Sequence, residues 1–130
     1  MTSDTRTGIL VGTALVVVLF VALGIVNQNS SGSDSQVSDE FAQCITDSGA
    51  KMYGAYWCGH CNDQKEAFGS AWDKINYIEC SANDDDGQAQ QCTNAGITGY
   101  PTWEFGDGSR VGGKQTMEFL ANKTGCEYSE

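Results

Sequence analysis

Trp57-Cys58-Gly59-His60-Cys61 places two cysteines one helical turn apart, at a point where the sequence pattern changes. Residues 51–57 are rich in aromatics and predict a β-strand, whereas residues 62–72 have the composition of a helix. At such a junction the free N–H groups and the positive end of the helix dipole favour an anion. We therefore expect Cys58 to be the nucleophilic thiolate and Cys61 to close a disulfide with it.

Two other interpretations fit this spacing less well. A zinc site would normally need a second C-x-x-C pair, and the other four of the six cysteines are scattered, so no metal site is predicted. A purely structural disulfide between adjacent turns would gain little, because the stabilisation grows with the length of the closed loop. No cofactor is predicted either.

The residues around the two cysteines are candidates for tuning their redox potential. His60 is the only histidine of the chain. As a cation or hydrogen-bond donor beside the thiolate it would stabilise the dithiol form, which makes the disulfide a stronger oxidant. The alternative is an exposed loop histidine without a role. Trp57 and Gly59 are the other two predicted tuning positions.

The remaining pattern predicts one small α/β domain over residues 40–130. Helices are predicted near residues 40–49, 62–72, 88–94 and 115–123, and strands at 51–57, 75–80, 102–105 and 110–111. After the first helix the order is β-α-β-α-β-β-α, with helices on both faces of a mixed sheet. The β-α-β unit implies a parallel pair, and the Asp107-Gly108 turn implies antiparallel strands at one edge. An acidic run at 84–86 could cap the third helix.

The N-terminal part of the sequence predicts a membrane anchor. Residues 8–26 carry no charge and fall within the roughly 17–25 residues that a transmembrane helix needs. Residues 1–7 would form a short cytoplasmic N-terminus, and the Ser-rich residues 27–39 a flexible linker. A cleaved signal peptide has a shorter apolar core, and a buried soluble helix would need a larger domain around it.

Charge and cysteine content narrow the partners and the compartment. The net charge of −10 argues against nucleic-acid binding, which needs clustered Lys and Arg. It also suggests adaptation to high salt, where repulsion between acidic groups is screened. Six cysteines suit an oxidising compartment. The sequence thus predicts a single-pass membrane protein whose C-terminal domain is extracytoplasmic.

A second motif marks a family resemblance. The W-C-G-H-C motif, the later G-Y-P-T at residues 99–102 and the F-G-D-G at 105–108 together resemble the thioredoxin superfamily. The resemblance implies a thioredoxin-like fold and a cis Pro101 that faces the C-x-x-C pair. It also implies that the backbone of Tyr100 pairs with an extended protein substrate.

A closer resemblance covers nearly all of residues 41–126. These residues are similar to the thioredoxin-like domain associated with vitamin K epoxide reductase homologues. This resemblance implies a quinone-linked membrane oxidoreductase as the partner that reoxidises the domain. The protein substrates would be secreted or membrane proteins that receive disulfides.

One position departs from the wider family. Thioredoxins carry a buried acidic residue six positions before the first active-site cysteine, and here that position is Met52. Proton transfer from Cys61 must therefore use another group or water. Lys65 and Glu66 are near in sequence, but the sequence does not place either of them.

The other four cysteines allow three pairings, and the topology of the thioredoxin fold favours one. It places Cys80 and Cys92 at the end of the sheet that carries the active site, and Cys44 and Cys126 at the opposite end. The expected structural disulfides are Cys80–Cys92 and Cys44–Cys126.

The predicted function is thus an extracytoplasmic thiol–disulfide oxidoreductase that donates disulfides. A membrane-tethered reductant with the same fold is the first alternative. A non-catalytic, disulfide-stapled binding module is the second, although such a module has no need of both a C-x-x-C pair and a cis-proline loop.

Overall fold

The computed structural model of the chain describes residues 36–82 and 87–129. The predicted N-terminus at 1–7, the anchor at 8–26, most of the linker and the acidic run at 84–86 lie outside the described residues. Within the described ranges, none of the helices has both the length and the apolar character that crossing a bilayer requires.

The described elements follow the predicted order. Four α-helices are described, α1 at Asp39–Asp47, α2 at Gly59–Phe68, α3 at Gln90–Asn94 and α4 at Met117–Thr124. A 3-10 helix at Gly69–Lys74 continues directly from α2. The described strands are β1 at Lys51–Gly54, β2 at Tyr77–Glu79, β3 at Thr102–Glu104 and β4 at Arg110–Gly112.

The strands form one mixed sheet in the order β2-β1-β3-β4. The two strands that flank α2 are parallel, with Met52 of β1 opposite Tyr77 of β2. The other two pairs, β1 with β3 and β3 with β4, are antiparallel. The predicted mixed sheet, with its parallel β-α-β unit and its hairpin at one edge, is therefore confirmed.

Neighbouring side chains of β1 enter two different cores, because successive residues of a strand point to opposite faces of the sheet. Met52 joins the larger core, with residues of α1, α2 and α4 and the buried Trp103 of β3. Tyr53 joins a smaller core with Cys80, Cys92 and Ile97. The helices therefore cover both faces of the sheet, as predicted.

The folded unit begins a few residues before the predicted boundary at residue 40. The side-chain oxygen of Ser38 accepts a hydrogen bond from the backbone N–H of Phe41, 3.1 Å away, and so caps α1. Val37 is buried in the larger core. These residues belong to the domain and not to the linker, a correction to the predicted range of 27–39.

The elements next to the C-x-x-C pair also differ from their predicted bounds. β1 ends at Gly54, and a turn closed by the Cys58 N–H and the Ala55 carbonyl follows it. α2 begins at Gly59, inside the motif, and ends at Phe68, because the φ of +57° at the next residue, Gly69, interrupts the helix. The predicted helix at 62–72 is therefore an α-helix followed by the 3-10 helix. The junction between strand and helix thus lies at residues 55–58, three residues earlier than the sequence indicates.

Candidate active site

Cys58 is the N-cap residue of α2, and its sulfur is held by the helix that it caps. The backbone N–H of Cys61 donates a hydrogen bond to Cys58 Sγ over 3.2 Å. An N–H group at a helix N-terminus favours negative charge on the atom that accepts from it. The structure thus places Cys58 where the sequence predicted a nucleophile.

The two cysteines are free thiols that differ in their access to solvent. Cys58 keeps 8% of its surface exposed, whereas Cys61 has none. An incoming disulfide or thiol therefore meets Cys58 first. Cys61 is reached only from inside the molecule.

Burial raises the pKa of the Cys61 thiol to about 12, and its hydrogen bond with Cys58 acts in the same direction. A hydrogen bond with the Ala55 backbone and the positive charge of Lys65 oppose the shift. At neutral pH Cys61 therefore holds its proton. This proton must leave before Cys61 can attack a disulfide, because only the thiolate is nucleophilic.

Gly54, the last residue of β1, lets Cys61 and Tyr77 approach the backbone of that strand. A Cβ atom at Gly54 would lie 3.0 Å from Cys61 Sγ, 3.2 Å from the Tyr77 hydroxyl and 2.8 Å from Tyr77 Cε2. A side chain at position 54 would therefore clash with both groups. Only glycine allows the thiol and the phenol to share this position.

The Tyr77 hydroxyl lies near Cys61 and is hydrogen-bonded to the carboxylate of Glu79. It donates a hydrogen bond to Glu79 Oε2 over 2.8 Å. Burial, and next the hydrogen bond with Glu79, raise the pKa of Tyr77 well above its usual value, so the phenol stays neutral.

Glu79 is held by further hydrogen bonds. Its Oε1 accepts from the N–H and hydroxyl groups of Ser81, at 3.0 and 2.5 Å, and from the Tyr56 N–H at 3.1 Å. Burial opposes ionisation, but these hydrogen bonds and the one from Tyr77 prevail and lower the pKa of Glu79. Glu79 is partly exposed and is a carboxylate at neutral pH.

Aromatic side chains surround the exposed edge of Cys58. Tyr56 and Trp57 are 68% and 62% exposed, which is unusual for large aromatics in a small domain. The Trp57 ring meets the Tyr100 ring edge-on at 5.8 Å between centroids. The Tyr100–Pro101 loop, whose peptide bond is cis, therefore lies beside the C-x-x-C motif.

A groove with a volume of about 410 Å³ extends along this loop. It is lined by residues 96–102 and by the edge strand β4. Pro101 itself is buried, and its carbonyl accepts a hydrogen bond from the Gly113 N–H at 2.8 Å. The predicted substrate-binding residues, Tyr100 and Pro101, thus line a groove, and the Tyr100 ring contacts Trp57 next to Cys58.

The other two predicted tuning residues lie at the surface. The side chain of His60 is 78% exposed, and its Nδ1 lies 3.7 Å from Asp63 Oδ2. A Cβ atom at Gly59 would meet no atom within 4 Å. A redox role for either residue stays a prediction.

The other cysteines form two disulfides, Cys44–Cys126 and Cys80–Cys92. This is the pairing that the topology led us to expect. In the two described ranges, no group of three or more His, Cys, Asp or Glu side chains is arranged to hold a metal ion.

Comparison with known proteins agrees with this site. The thioredoxin family model matches residues 33–123, and the chain therefore belongs to the thioredoxin family. The chain is also similar to the thiol-disulfide oxidoreductase LTO1 of Arabidopsis thaliana, with 39% identity over 107 residues. That alignment covers 77% of this chain but only 27% of the relative. The two comparisons confirm the predicted class, a thioredoxin-type thiol–disulfide oxidoreductase.

Sequence reasoning missed Tyr77 and Glu79. It named Lys65 and Glu66 as possible proton acceptors for Cys61. Lys65 does act on Cys61 through its charge, and its Nζ lies 4.2 Å from the centroid of the Tyr77 ring. Glu66 is exposed. No pattern in the sequence singles out Tyr77 and Glu79, because their place beside Cys61 depends on how β2 pairs with β1.

Proposed function

We propose that the domain donates disulfides to secreted or membrane proteins outside the cytoplasm. The observation that carries the exchange chemistry is the unequal burial of the two cysteines, with 8% of Cys58 accessible and Cys61 fully enclosed. In the oxidised form a substrate thiolate attacks Cys58 Sγ, and Cys61 leaves with the bonding electrons and takes up a proton. A second substrate thiolate then attacks the substrate sulfur of the mixed disulfide and releases Cys58 as a thiolate. The substrate gains a disulfide, and the enzyme ends as a dithiol.

The two structural disulfides support an oxidising compartment. Cys44–Cys126 and Cys80–Cys92 are closed in the same domain that holds the free pair. Structural disulfides persist mainly outside the reducing cytosol. They therefore support the extracytoplasmic location in this proposal, whereas the direction of the reaction is tested by the reduction potential below.

The proposed substrates are extended or incompletely folded protein segments. The exposed rings of Tyr56 and Trp57 offer apolar contact area around Cys58, and the groove beside Tyr100 can receive a peptide chain. Backbone pairing at such a groove selects little by sequence. The enzyme would then act on many cysteine-containing proteins.

The proposed partner is a quinone-linked membrane protein that resembles vitamin K epoxide reductase. Each cycle leaves Cys58 and Cys61 reduced, so the enzyme must pass two electrons and two protons onward before it can act again. The uncharged residues 8–26 would hold the domain at the membrane, within reach of such a partner. The family resemblance of residues 41–126 supports this pairing.

The reduction potential of Cys58–Cys61 tests the direction of the reaction. Equilibration in glutathione buffers, followed by thiol trapping and mass spectrometry, gives the ratio of dithiol to disulfide. A potential near −200 mV or higher is expected of a disulfide donor, whereas about −270 mV is typical of a reductant such as thioredoxin. A value at or below that lower limit would overturn donation. Cys58→Ser and Cys61→Ser are the control variants, because neither can form the Cys58–Cys61 disulfide.

A further inference from the structure

The buried thiol of Cys61 needs a path for its proton. When Cys58 carries a mixed disulfide, Cys61 must lose its proton in order to attack Cys58 Sγ. When Cys61 leaves a disulfide, it must regain one. Water does not reach Cys61 directly, since the residue has no exposed surface. The path must therefore run through the groups that surround it.

The titratable groups that face Cys61 come from two elements. From α2 come Cys58 and Lys65, and from β2 comes Tyr77. Lys65 is a cation and cannot accept a proton. Cys58 is occupied in the mixed disulfide. Among these groups, only the Tyr77 hydroxyl offers an oxygen to the thiol.

The position of Tyr77 suits a transfer. Its hydroxyl oxygen and Cys61 Sγ lie within 3.2 and 3.0 Å of the same point, the Cβ position that Gly54 leaves free. Because both atoms adjoin this one point, a proton can pass between them directly or through one bridging water. Beyond the hydroxyl lies Glu79 Oε2 at 2.8 Å, on a partly exposed carboxylate. The Tyr77 hydroxyl thus lies between the buried sulfur of Cys61 and the partly exposed carboxylate of Glu79.

We propose that Tyr77 and Glu79 form the proton relay of Cys61. In resolution, the Cys61 thiol gives its proton to the Tyr77 oxygen while the Tyr77 hydroxyl proton passes to Glu79 Oε2. The Cys61 thiolate attacks Cys58 Sγ, the Cys58–Cys61 bond forms, and the bond from Cys58 to the substrate breaks. The substrate sulfur leaves with the electron pair, and Glu79 releases the proton to water. In disulfide donation the proton travels the opposite way.

The protonation states of Tyr77 and Glu79 suit groups that pass a proton on and do not retain it. Tyr77 has a raised pKa and stays a neutral phenol, which can accept one proton as it gives up another. Glu79 has a lowered pKa and returns the proton quickly to solvent. The hydrogen bonds from Ser81 and Tyr56 fix the carboxylate, so that Oε2 remains directed at Tyr77. The relay rests on the proposed disulfide exchange. It removes the Cys61 proton in resolution and returns it in disulfide donation.

A two-step thiol assay separates the relay from the exchange itself. The reduced domain is mixed with one equivalent of dithiobis(nitrobenzoate), which releases one coloured thiolate when Cys58 attacks and a second when Cys61 resolves. Acid quenching and intact mass measure the mixed disulfide between the two steps. The variants are Tyr77→Phe and Glu79→Gln. Matched controls are Tyr53→Phe on β1 and Glu66→Gln on the exposed side of α2, and melting curves check the fold of each protein.

The relay predicts a specific pattern. Tyr77→Phe and Glu79→Gln should slow the second step at neutral pH at least about tenfold, a threshold set below the roughly 10²–10⁴-fold typical of general acid–base catalysis. The first step should stay within about twofold of the wild type. The deficit should shrink as pH rises toward the pKa of Cys61, because a growing fraction of Cys61 is then already ionised and needs no proton transfer. A purely structural role for the two residues would not give this pH dependence.

Three results would count against these ideas. Equal second-step rates for wild type, Tyr77→Phe and Glu79→Gln across the pH range would overturn the relay and leave the exchange intact. A deficit that is the same at every pH, or that the control variants share, would also overturn it. Release of fewer than two thiolates by the wild type would contradict the proposed function itself.

Discussion

Met52 of β1 and Tyr77 of β2 lie directly opposite each other in the parallel register of the sheet. Position 52 is where the thioredoxin resemblance implies a buried acid, and a methionine cannot exchange a proton. The partner strand instead brings a phenol and, two residues later, a carboxylate to the same end of the sheet. The polar groups next to the buried cysteine thus lie on β2, whereas the family resemblance implies an acid on β1.

Replacing Lys65 with methionine should make Cys61 harder to deprotonate. Burial and the hydrogen bond with Cys58 raise the pKa of Cys61, and the charge of Lys65 partly offsets them. Without that charge the pKa of Cys61 rises further, so the pH profile of the second exchange step should move to higher pH. At neutral pH the step should slow about two- to fivefold. Lys114→Met, at an exposed site, is the control. Identical pH profiles for Lys65→Met and the wild type would show that the charge of Lys65 does not affect Cys61.

Gln64 should contribute more to stability than any exposed glutamine. It is fully buried, and its Oε1 accepts from the Trp103 indole N–H at 3.3 Å and from the Gln115 N–H at 2.7 Å. Gln64→Leu keeps the volume but leaves both donors buried and unpaired, which should cost about 2–3 kcal/mol of unfolding free energy. Urea unfolding of Gln64→Leu and the wild type measures this loss.

A surface control makes this test specific. Gln43→Leu removes an exposed helix contact with Asp47 and should change the unfolding free energy by less than about 0.5 kcal/mol. Similar losses of unfolding free energy in Gln64→Leu and Gln43→Leu would show that the buried hydrogen bonds of Gln64 add no more stability than an exposed contact.

Much of the fold follows from the sequence because its signals are local. The periodicity of α1, the Asp107-Gly108 turn and the aromatic strand before Cys58 each depend on residues close together in the chain. The boundaries were less well predicted. α2 starts inside the motif because Cys58 itself caps it, and this depends on a sulfur contact that no periodicity reveals.

The proton relay could not have been predicted, because it depends on register. Tyr77 and Glu79 look like ordinary residues of a half-buried strand. They become neighbours of Cys61 only when β2 pairs with β1 so that Tyr77 faces Met52, and when Gly54 leaves room for both groups. A shift of one residue would turn Tyr77 to the other face of the sheet.

The two structural disulfides should differ in what they contribute. Cys44 and Cys126 are 82 residues apart, whereas Cys80 and Cys92 are 12 apart. In the chain-entropy model the first closure is worth about 4.5 kcal/mol and the second about 3 kcal/mol. The double variants Cys44→Ala/Cys126→Ala and Cys80→Ala/Cys92→Ala, compared by urea unfolding, test this order. A larger loss from the second pair would contradict it.

Glu104 should make the domain sensitive to acid. It lies on β3 between Lys51 of β1 at 3.0 Å and Arg110 of β4 at 2.5 Å, so one carboxylate joins three strands. Burial opposes its ionisation, but the hydrogen bonds from Lys51 and Arg110 prevail and lower the pKa of Glu104 from 4.5. A depressed folded-state pKa adds stability that is present above the unfolded value and is lost as pH falls through the folded value.

Glu104→Gln should therefore lower the unfolding free energy at neutral pH by about 1 kcal/mol, the upper range for a partly exposed ion pair. The difference from wild type should narrow as pH falls below 4.5, because protonation then removes the same charge from the wild type. Urea unfolding at neutral and at acidic pH measures the stability difference and its narrowing, with Glu66→Gln as the exposed control. A difference that persists unchanged in acid would show that Glu104 acts through packing and not through its charge.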